Sequence, residues 1–226
     1  MVNGNIVIAN YYAVRGKLRD IDLLRHTEGG TVLYRAARDG HLTIVKGLLA
    51  GGVDMKAANH WGWTPLFAAA QRGHVEVAQS LLTVGADVNK TNDWGWTPLH
   101  ATAGEGHIEV EQSLLTAGVN MNMSNFWGST PLYTATGKGH IEVVQSLLTA
   151  GADSTRKNRD GQTALDIAYE RGHKERSPSC CSKWPRRRDR IRLRYCLRTS
   201  YTGVVCVLTL LKQTFRFLPL LLTSSP

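Results

Sequence analysis

The chain has 226 residues, of which 42% are hydrophobic and 20% charged, and its formal net charge is +9. The charge is uneven: residues 177–226 hold 10 of the 27 lysines and arginines but one of the 18 acidic residues, which leaves 17 basic and 17 acidic residues in the body. A neutral body gives no reason to expect nucleic-acid binding, because long-range attraction of phosphates needs a basic surface.

Residues 1–30 come before any regular pattern. They lack the basic start and long apolar run of a secretory signal, and all four cysteines of the chain lie after residue 179. Both features predict an intracellular protein that is not held together by disulfides. The segment Gly16–Leu24 resembles the one that begins at Gly40. We therefore interpret residues 1–30 as a degenerate N-terminal unit that caps the units after it.

Residues 31–176 repeat one pattern every 33 residues, with units that start at 31, 64, 97 and 130 and a truncated unit from 163. A threonine opens each unit, and a Gly-His pair recurs in register at Gly40, Gly73, Gly106, Gly139 and Gly172. A fixed period of this size is typical of stacked repeats, in which no unit can bury its apolar face alone. Any functional surface is then shared by several units.

The unit at 64–96 shows the expected local structure. Thr64 and Pro65 are typical of a helix start, and Gly73 is typical of its end. A second apolar stripe runs from Val75 to Leu82 and is closed by Gly85. The unit is predicted to be helix, turn, helix and then a loop rich in turn-forming residues.

These motifs resemble those of ankyrin-repeat proteins. Thr97-Pro98-Leu99-His100 matches the family's Thr-Pro-Leu-His motif, and Gly-His, Leu-Leu and Gly-Ala-Asp recur in the family's order over about two thirds of the chain. The resemblance implies a mainly α solenoid of stacked helix-turn-helix units with protruding β-hairpin-like loops. It also implies that inner helices and loop tips hold protein partners, and that His100 makes a hydrogen bond that fixes the turn.

Five of the six tryptophans lie in the loops between units. A turn does not require tryptophan, which is enriched among residues that dominate binding energy at interfaces. Alternatively, Trp61, Trp94 and Trp127 stack on one another or lie over the neighbouring loop and only stiffen the array, or their likeness reflects recent duplication. The loop candidates for partner binding are His60, Trp61, Trp63, Asp93, Trp94, Trp96, Phe126 and Trp127.

A second candidate set lies at the ends of the first helices, where residues differ between units while the surrounding motif does not. Variation on a constant frame suits a tailored binding surface, although simple solvent exposure also permits it. The candidates in this set are Gln71, Arg72, Glu105 and Lys138.

Nothing in the repeats predicts catalysis, a metal or a cofactor. Five histidines follow the unit glycines, but equivalent atoms in stacked helices lie about 10 Å apart, too far to share one zinc ion. We expect them to be structural. Glu111 stands where other units have Val45, Ala78 and Val144, and a buried carboxylate is costly, so we expect Glu111 at the edge of the packed surface.

The pattern breaks at Arg176 and Pro178, after which the composition is rich in Arg, Leu and Cys. One interpretation of residues 177–226 is a basic anchor that tethers an ankyrin protein to a membrane, although Lys212, Gln213 and Arg216 interrupt its apolar run. Another is a nuclear-localisation or nucleic-acid patch. The interpretation we favour is a disordered tail, or sequence from an altered reading frame that is not native protein.

Overall fold

A computed structural model describes residues 31–173. Over that range the chain forms nine helices and no strand. The helices are α1 (Val32–Arg38), α2 (Leu42–Ala50), α3 (Pro65–Arg72), α4 (Val75–Thr83), α5 (Pro98–Glu105), α6 (Ile108–Thr116), α7 (Pro131–Lys138), α8 (Ile141–Thr149) and α9 (Ala164–His173). Each 33-residue unit supplies one pair, and α9 is the first helix of the fifth unit. The predicted mainly α repeat fold is confirmed.

The first helix of each of the four complete units begins at a threonine whose side chain caps it. Thr64 Oγ1 accepts a hydrogen bond from the Phe67 N–H at 3.2 Å, and the equivalent threonines of the other three units do the same. Pro65 occupies the first turn, where a missing N–H leaves no bond unmade. The helix start predicted at Thr64 is therefore confirmed in its chemistry as well as its position.

The glycine at the end of a first helix serves two purposes. Gly73 caps α3 with φ of +73°, a left-handed conformation that a side chain disfavours. A Cβ added there would lie 2.7 Å from Nδ1 of His107, which belongs to the next unit. Glycine is needed both to end the helix and to admit the neighbouring imidazole.

The imidazoles in turn bind the preceding unit. His107 Nε2–H donates to the Gln71 carbonyl at 3.2 Å. His74 and His140 make the same bond to the unit before them, each at 3.0 Å. We call these three contacts the Gly-His ties: Gly40 with His74, Gly73 with His107, and Gly106 with His140. They give these three histidines the structural role that the sequence predicted.

The units stack in two layers. The first helices α1, α3, α5, α7 and α9 pack side by side, and α2, α4, α6 and α8 form a second, less closely packed layer. The first helices are the ones that the family resemblance describes as inner helices, and we keep that name for them. One leucine from each helix of each complete unit fills the space between the layers, almost entirely removed from water. These are Leu33, Leu48, Leu66, Leu81, Leu99, Leu114, Leu132 and Leu147.

The predicted N-terminal cap at residues 1–30 and the tail at 177–226 lie outside the described residues and stay predictions. Within residues 31–173, no helix is both long enough and apolar enough to cross a membrane.

Candidate functional site

Each loop between units ends in a tight turn built on an asparagine, which is buried in the first three loops and half-buried in the fourth. Asn59 Oδ1 accepts hydrogen bonds from the N–H groups of Trp61 and Trp63, both at 3.0 Å, and the Asn59 N–H donates to the Trp63 carbonyl. Asn92, Asn125 and Asn158 make the same three bonds. We call these turns the loop tips: residues 59–63, 92–96, 125–129 and 158–162. They resemble hairpins but form no strand.

These asparagines were not among the residues singled out from the sequence. The signal was present, because an asparagine recurs at every 33rd position from Asn59 to Asn158. Asparagine has a general preference for turns, so its presence in a loop did not distinguish it. Its particular function, accepting two backbone N–H groups from inside the turn, makes it the residue that shapes the loop tip.

Neighbouring loop tips are joined through the backbone. The Asp93 N–H donates to the Trp61 carbonyl and the Phe126 N–H to the Trp94 carbonyl, both at 3.0 Å. The third bond of the series runs from the Arg159 N–H to the Trp127 carbonyl at 2.9 Å. Because these bonds use no side-chain atom, they fix the spacing of the tips and leave the rings free for other contacts.

Trp63 lies half-buried at the base of the first tip. Its ring stacks on Phe67, the first aromatic residue of α3, with centroids 5.2 Å apart and planes 28° apart. Trp61 and Trp94 lean against it at 6.1 and 6.3 Å, tilted by 52° and 66°. The Trp63 indole N–H is enclosed without an acceptor. Trp63 is therefore as much a packing residue as a surface residue.

Trp96 occupies the same place in the second tip. It packs edge-on against His100 at 5.5 Å and against Trp127 at 6.5 Å. Trp94 and Trp127 thus each lie over the preceding tip, against its second tryptophan, as in the interpretation that the rings cover the neighbouring loop. No stack of Trp61, Trp94 and Trp127 on one another is present in the described residues. The Trp94 and Trp127 rings therefore pack on the neighbouring tip and also remain partly exposed.

The outer rings of the tips keep large areas in contact with water. The exposed fractions are 42% for Trp61, 37% for Trp94, 52% for Trp127 and 54% for Phe126. His60 and Asp93 are exposed beside them. The eight loop candidates therefore divide into six exposed residues and the two half-buried rings of Trp63 and Trp96.

The second candidate set is not brought together with the first. Arg72, Glu105 and Lys138 are exposed at the far ends of α3, α5 and α7, and Gln71 is half-buried next to Arg72. An eight-residue helix is about 12 Å long, so this length of inner helix separates them from the loop tips. They form a row of alternating charge, one residue to a unit. A role of either set in binding stays a prediction.

His100 makes hydrogen bonds at both ring nitrogens, including the one implied by the family resemblance. Nδ1 accepts from the Thr97 N–H at 3.2 Å and lies 2.8 Å from Thr97 Oγ1. Nε2–H donates to the Ser129 carbonyl at 2.9 Å. Burial lowers the pKa of His100 from 6.5 to about 4, because the charged ring would lose its hydration. The neutral form is the one that these two bonds require.

Glu111 corrects an expectation. It does not lie at an edge: it is completely buried, as are Val45, Ala78 and Val144 at the same place in other units. Burial of a helix position depends on the units at both sides, which the residue's own helix does not reveal. Oε2 accepts a 2.8 Å hydrogen bond from Ser146, whereas Oε1 has no partner. Desolvation raises the pKa of Glu111 from 4.5 to about 7.

Among residues 31–173 no three His, Cys, Asp or Glu side chains are grouped in a way that could hold a metal ion.

Comparison with protein-family models gives one match that covers the repeat units. A family model described as ankyrin repeats (three copies) matches residues 3–92, 33–125, 80–158 and 112–176. No curated protein matches the chain. Ankyrin repeats are generally protein–protein interaction modules and are typically non-enzymatic. The overlapping matches span most of the chain and agree with the helix pairs, threonine caps and Gly-His ties: the chain belongs to the ankyrin-repeat family.

Proposed function

We propose that this chain is an intracellular adaptor or scaffold, without catalytic activity, that binds a protein partner through its loop tips and inner helices. The absence of cysteine before Cys180 supports the location. The two described groups with the largest pKa shifts, His100 and Glu111, are buried between units, where a substrate has no access.

One observation carries the binding proposal. The fourth tip forms the same turn as the others, with Asn158 Oδ1 accepting from the Asp160 and Gln162 N–H groups at 3.0 and 2.9 Å. It does so without an aromatic residue at 159, 160 or 162. The backbone therefore does not require the exposed rings of the first three tips. Exposed aromatic rings on a rigid frame are typical of binding surfaces.

The inner helices extend the proposed surface. Arg72, Glu105 and Lys138 present alternating charges from equivalent positions. In an interface whose centre is aromatic, charges at the rim select among partners and contribute less to affinity. We therefore assign affinity to the loop tips and selectivity to the ends of the inner helices.

The test is a selection of peptide and small-domain binders displayed on phage against the full chain. Combined substitution of Trp61, Trp94 and Trp127 by alanine should weaken the selected binders at least thirtyfold, because aromatic hot spots contribute about 2 kcal/mol or more each. The control is Asp160→Ala, the equivalent position in the tip without aromatic residues, which should leave affinity unchanged. Binders that retain affinity for the triple variant, while it unfolds at the same denaturant concentration as the parent, would remove the loop tips from the proposal.

A further inference from the structure

The contact between the first and second loop tips differs from the contact between the second and third. At the first, which we call the first junction, Trp61 and Trp94 both lie against Trp63. At the second junction Trp127 lies against Trp96, and no close ring contact joins Trp94 to Trp96 in the described structure. The first junction therefore holds three tryptophan rings, whereas the second holds two.

Trp63 is surrounded by aromatic rings at the first junction. Phe67 covers one face of the Trp63 ring in a near-parallel stack. Trp61 and Trp94 lie against the same ring, tilted by 52° and 66°, and are themselves partly exposed. A ligand at this junction would therefore meet the exposed parts of Trp61 and Trp94 beside the half-buried Trp63.

The two junctions also differ in charge. Asp93 stands at the first junction where Phe126 stands at the second. Its Oδ1 lies 2.7 Å from the point that a Cβ on Gly62 would occupy, so the carboxylate rests over the turn between Trp61 and Trp63. The described side chains give this carboxylate neither a hydrogen bond nor an ion pair, and Asp93 is exposed. An anionic group thus stands free beside three aromatic rings.

This combination favours a cation. The face of an indole ring carries negative potential, and a cation within about 6 Å of the ring centre is attracted to it. An unpaired carboxylate adds to that attraction. A neutral apolar ligand would use the rings but would gain nothing from Asp93.

We propose that the first junction binds an arginine side chain of the protein partner. This rests on the proposed function and specifies the chemistry of the partner. A guanidinium is flat and weakly hydrated, so it can stack on the exposed part of the Trp61 or Trp94 ring while its N–H groups bind the two Asp93 oxygens. A lysine ammonium is compact and strongly hydrated, and it presents no flat face to the ring.

The proposal is tested by nuclear magnetic resonance on the full chain labelled with ¹⁵N, through its tryptophan indole N–H signals. The probe is the blocked tripeptide Gly-Arg-Gly. We expect saturable shifts at the Trp61, Trp63 and Trp94 signals, and affinity about threefold or more above that of Gly-Lys-Gly. The peptide with citrulline, which has nearly the shape of arginine without its charge, should bind about tenfold more weakly than the arginine peptide.

Two variants locate the site. Asp93→Asn keeps the size of the side chain and should weaken the arginine peptide about three- to tenfold. Asp160→Asn, the same substitution in the fourth tip, is the matched control and should leave the affinity for the arginine peptide unchanged. Equal affinity for citrulline, no effect of Asp93→Asn, or a trimethyllysine peptide that binds more tightly than arginine would each overturn the assignment.

The outcome is separable from that of the proposed function. If displayed binders depend on Trp61, Trp94 and Trp127 while the arginine peptide produces no shift, the array is a binding module and the arginine assignment alone is wrong. If the arginine peptide binds as expected but the affinity of displayed binders does not depend on the three tryptophans, the first junction is an arginine site and the loop tips are not the main partner surface.

Discussion

The Gly-His ties and the loop tips both recur every 33 residues and both join neighbouring units. They differ in whether contacts within the chain already occupy their side chains. At a tie, the His107 ring fills the space above Gly73 and its Nε2–H is bound to a carbonyl. At a tip, backbone bonds make the junction, and large parts of the Trp61 and Trp127 rings remain in water. Recurrence alone therefore does not separate structural from functional residues. A recurring side chain is a candidate for binding only where contacts within the chain leave it free.

Breaking a Gly-His tie should destabilise the chain more than any other substitution considered below. Gly73→Ala places a side chain on left-handed backbone and pushes a Cβ to 2.7 Å from the His107 ring. The backbone contributes about 1–2 kcal/mol and the displaced ring adds to it, so we expect a loss of about 3 kcal/mol. Urea unfolding followed by circular dichroism measures the difference.

The same unit offers a matched control. Gly85 also has a positive φ, of +90°, but a Cβ added there meets no atom within 4 Å. Gly85→Ala should lose only the backbone contribution of about 1–2 kcal/mol. If both variants lose the same free energy of unfolding, the imidazole contact at Gly73 does not hold the units as described.

A second prediction concerns the buried carboxylate of Glu111, which has an unpartnered oxygen and should therefore destabilise the fold. Glu111→Val restores the side chain that α8 has at Val144 and removes the unpartnered Oε1. Above pH 7 we expect a gain of about 2 kcal/mol. Ser146 loses its acceptor but can turn to the carbonyl four residues earlier, as Ser113 does.

Denaturant unfolding at about pH 7.5, above the raised pKa of Glu111, measures the gain, with Glu109→Val as control. Glu109 is exposed on the same helix and its replacement should change stability by less than about 0.5 kcal/mol. A Glu111→Val variant no more stable than the parent would mean that the carboxylate has a partner that the described contacts do not include.

The smallest net effect is a pH dependence in which two buried groups oppose each other. The pKa of His100 is lowered to about 4, so its stabilising contribution is complete above pH 6.5 and is lost as pH falls toward 4. The pKa of Glu111 is raised to about 7, so its contribution is complete below pH 4.5 and is lost as pH rises toward 7. Each slope reaches at most about 1.4 kcal/mol per pH unit, with opposite sign.

Between pH 4.5 and 6.5 these two contributions to the parent should nearly cancel. In Glu111→Val, of these two slopes, only that of His100 remains. The free energy of unfolding of the variant should therefore increase relative to that of the parent as pH rises from 4.5 to 7. Unfolding midpoints measured at half-unit pH intervals on both proteins test this. A stability difference that does not change with pH would show that Glu111 titrates at its ordinary pKa in the folded chain.

Much of the fold could be read from single residues because their roles are local. Thr64 and Gly73 begin and end a helix through bonds within a few residues. The similarity of one unit to the next predicted that the units stack. The position of Glu111 could not be read in this way, since its burial depends on α4 and α8 as well as on its own helix.

The candidate site was predictable in composition and not in arrangement. Its position in the loops followed from Trp61 and its equivalents. That Trp63 is half-buried follows from its stack on Phe67, which lies four residues later and across the helix start. That Asp93 rests over Gly62 follows from the backbone bond between tips, which no single unit contains.

Stacked units fix the loop tips in a rigid row that presents its aromatic rings. Amide hydrogen exchange on the full chain checks this at the three N–H donors that join the tips, those of Asp93, Phe126 and Arg159. We expect these amides to exchange at least about a hundredfold more slowly than in an unstructured peptide. Exchange at the unstructured rate, while the amides of α3 and α5 stay protected, would show that the helices stack without fixing the tips.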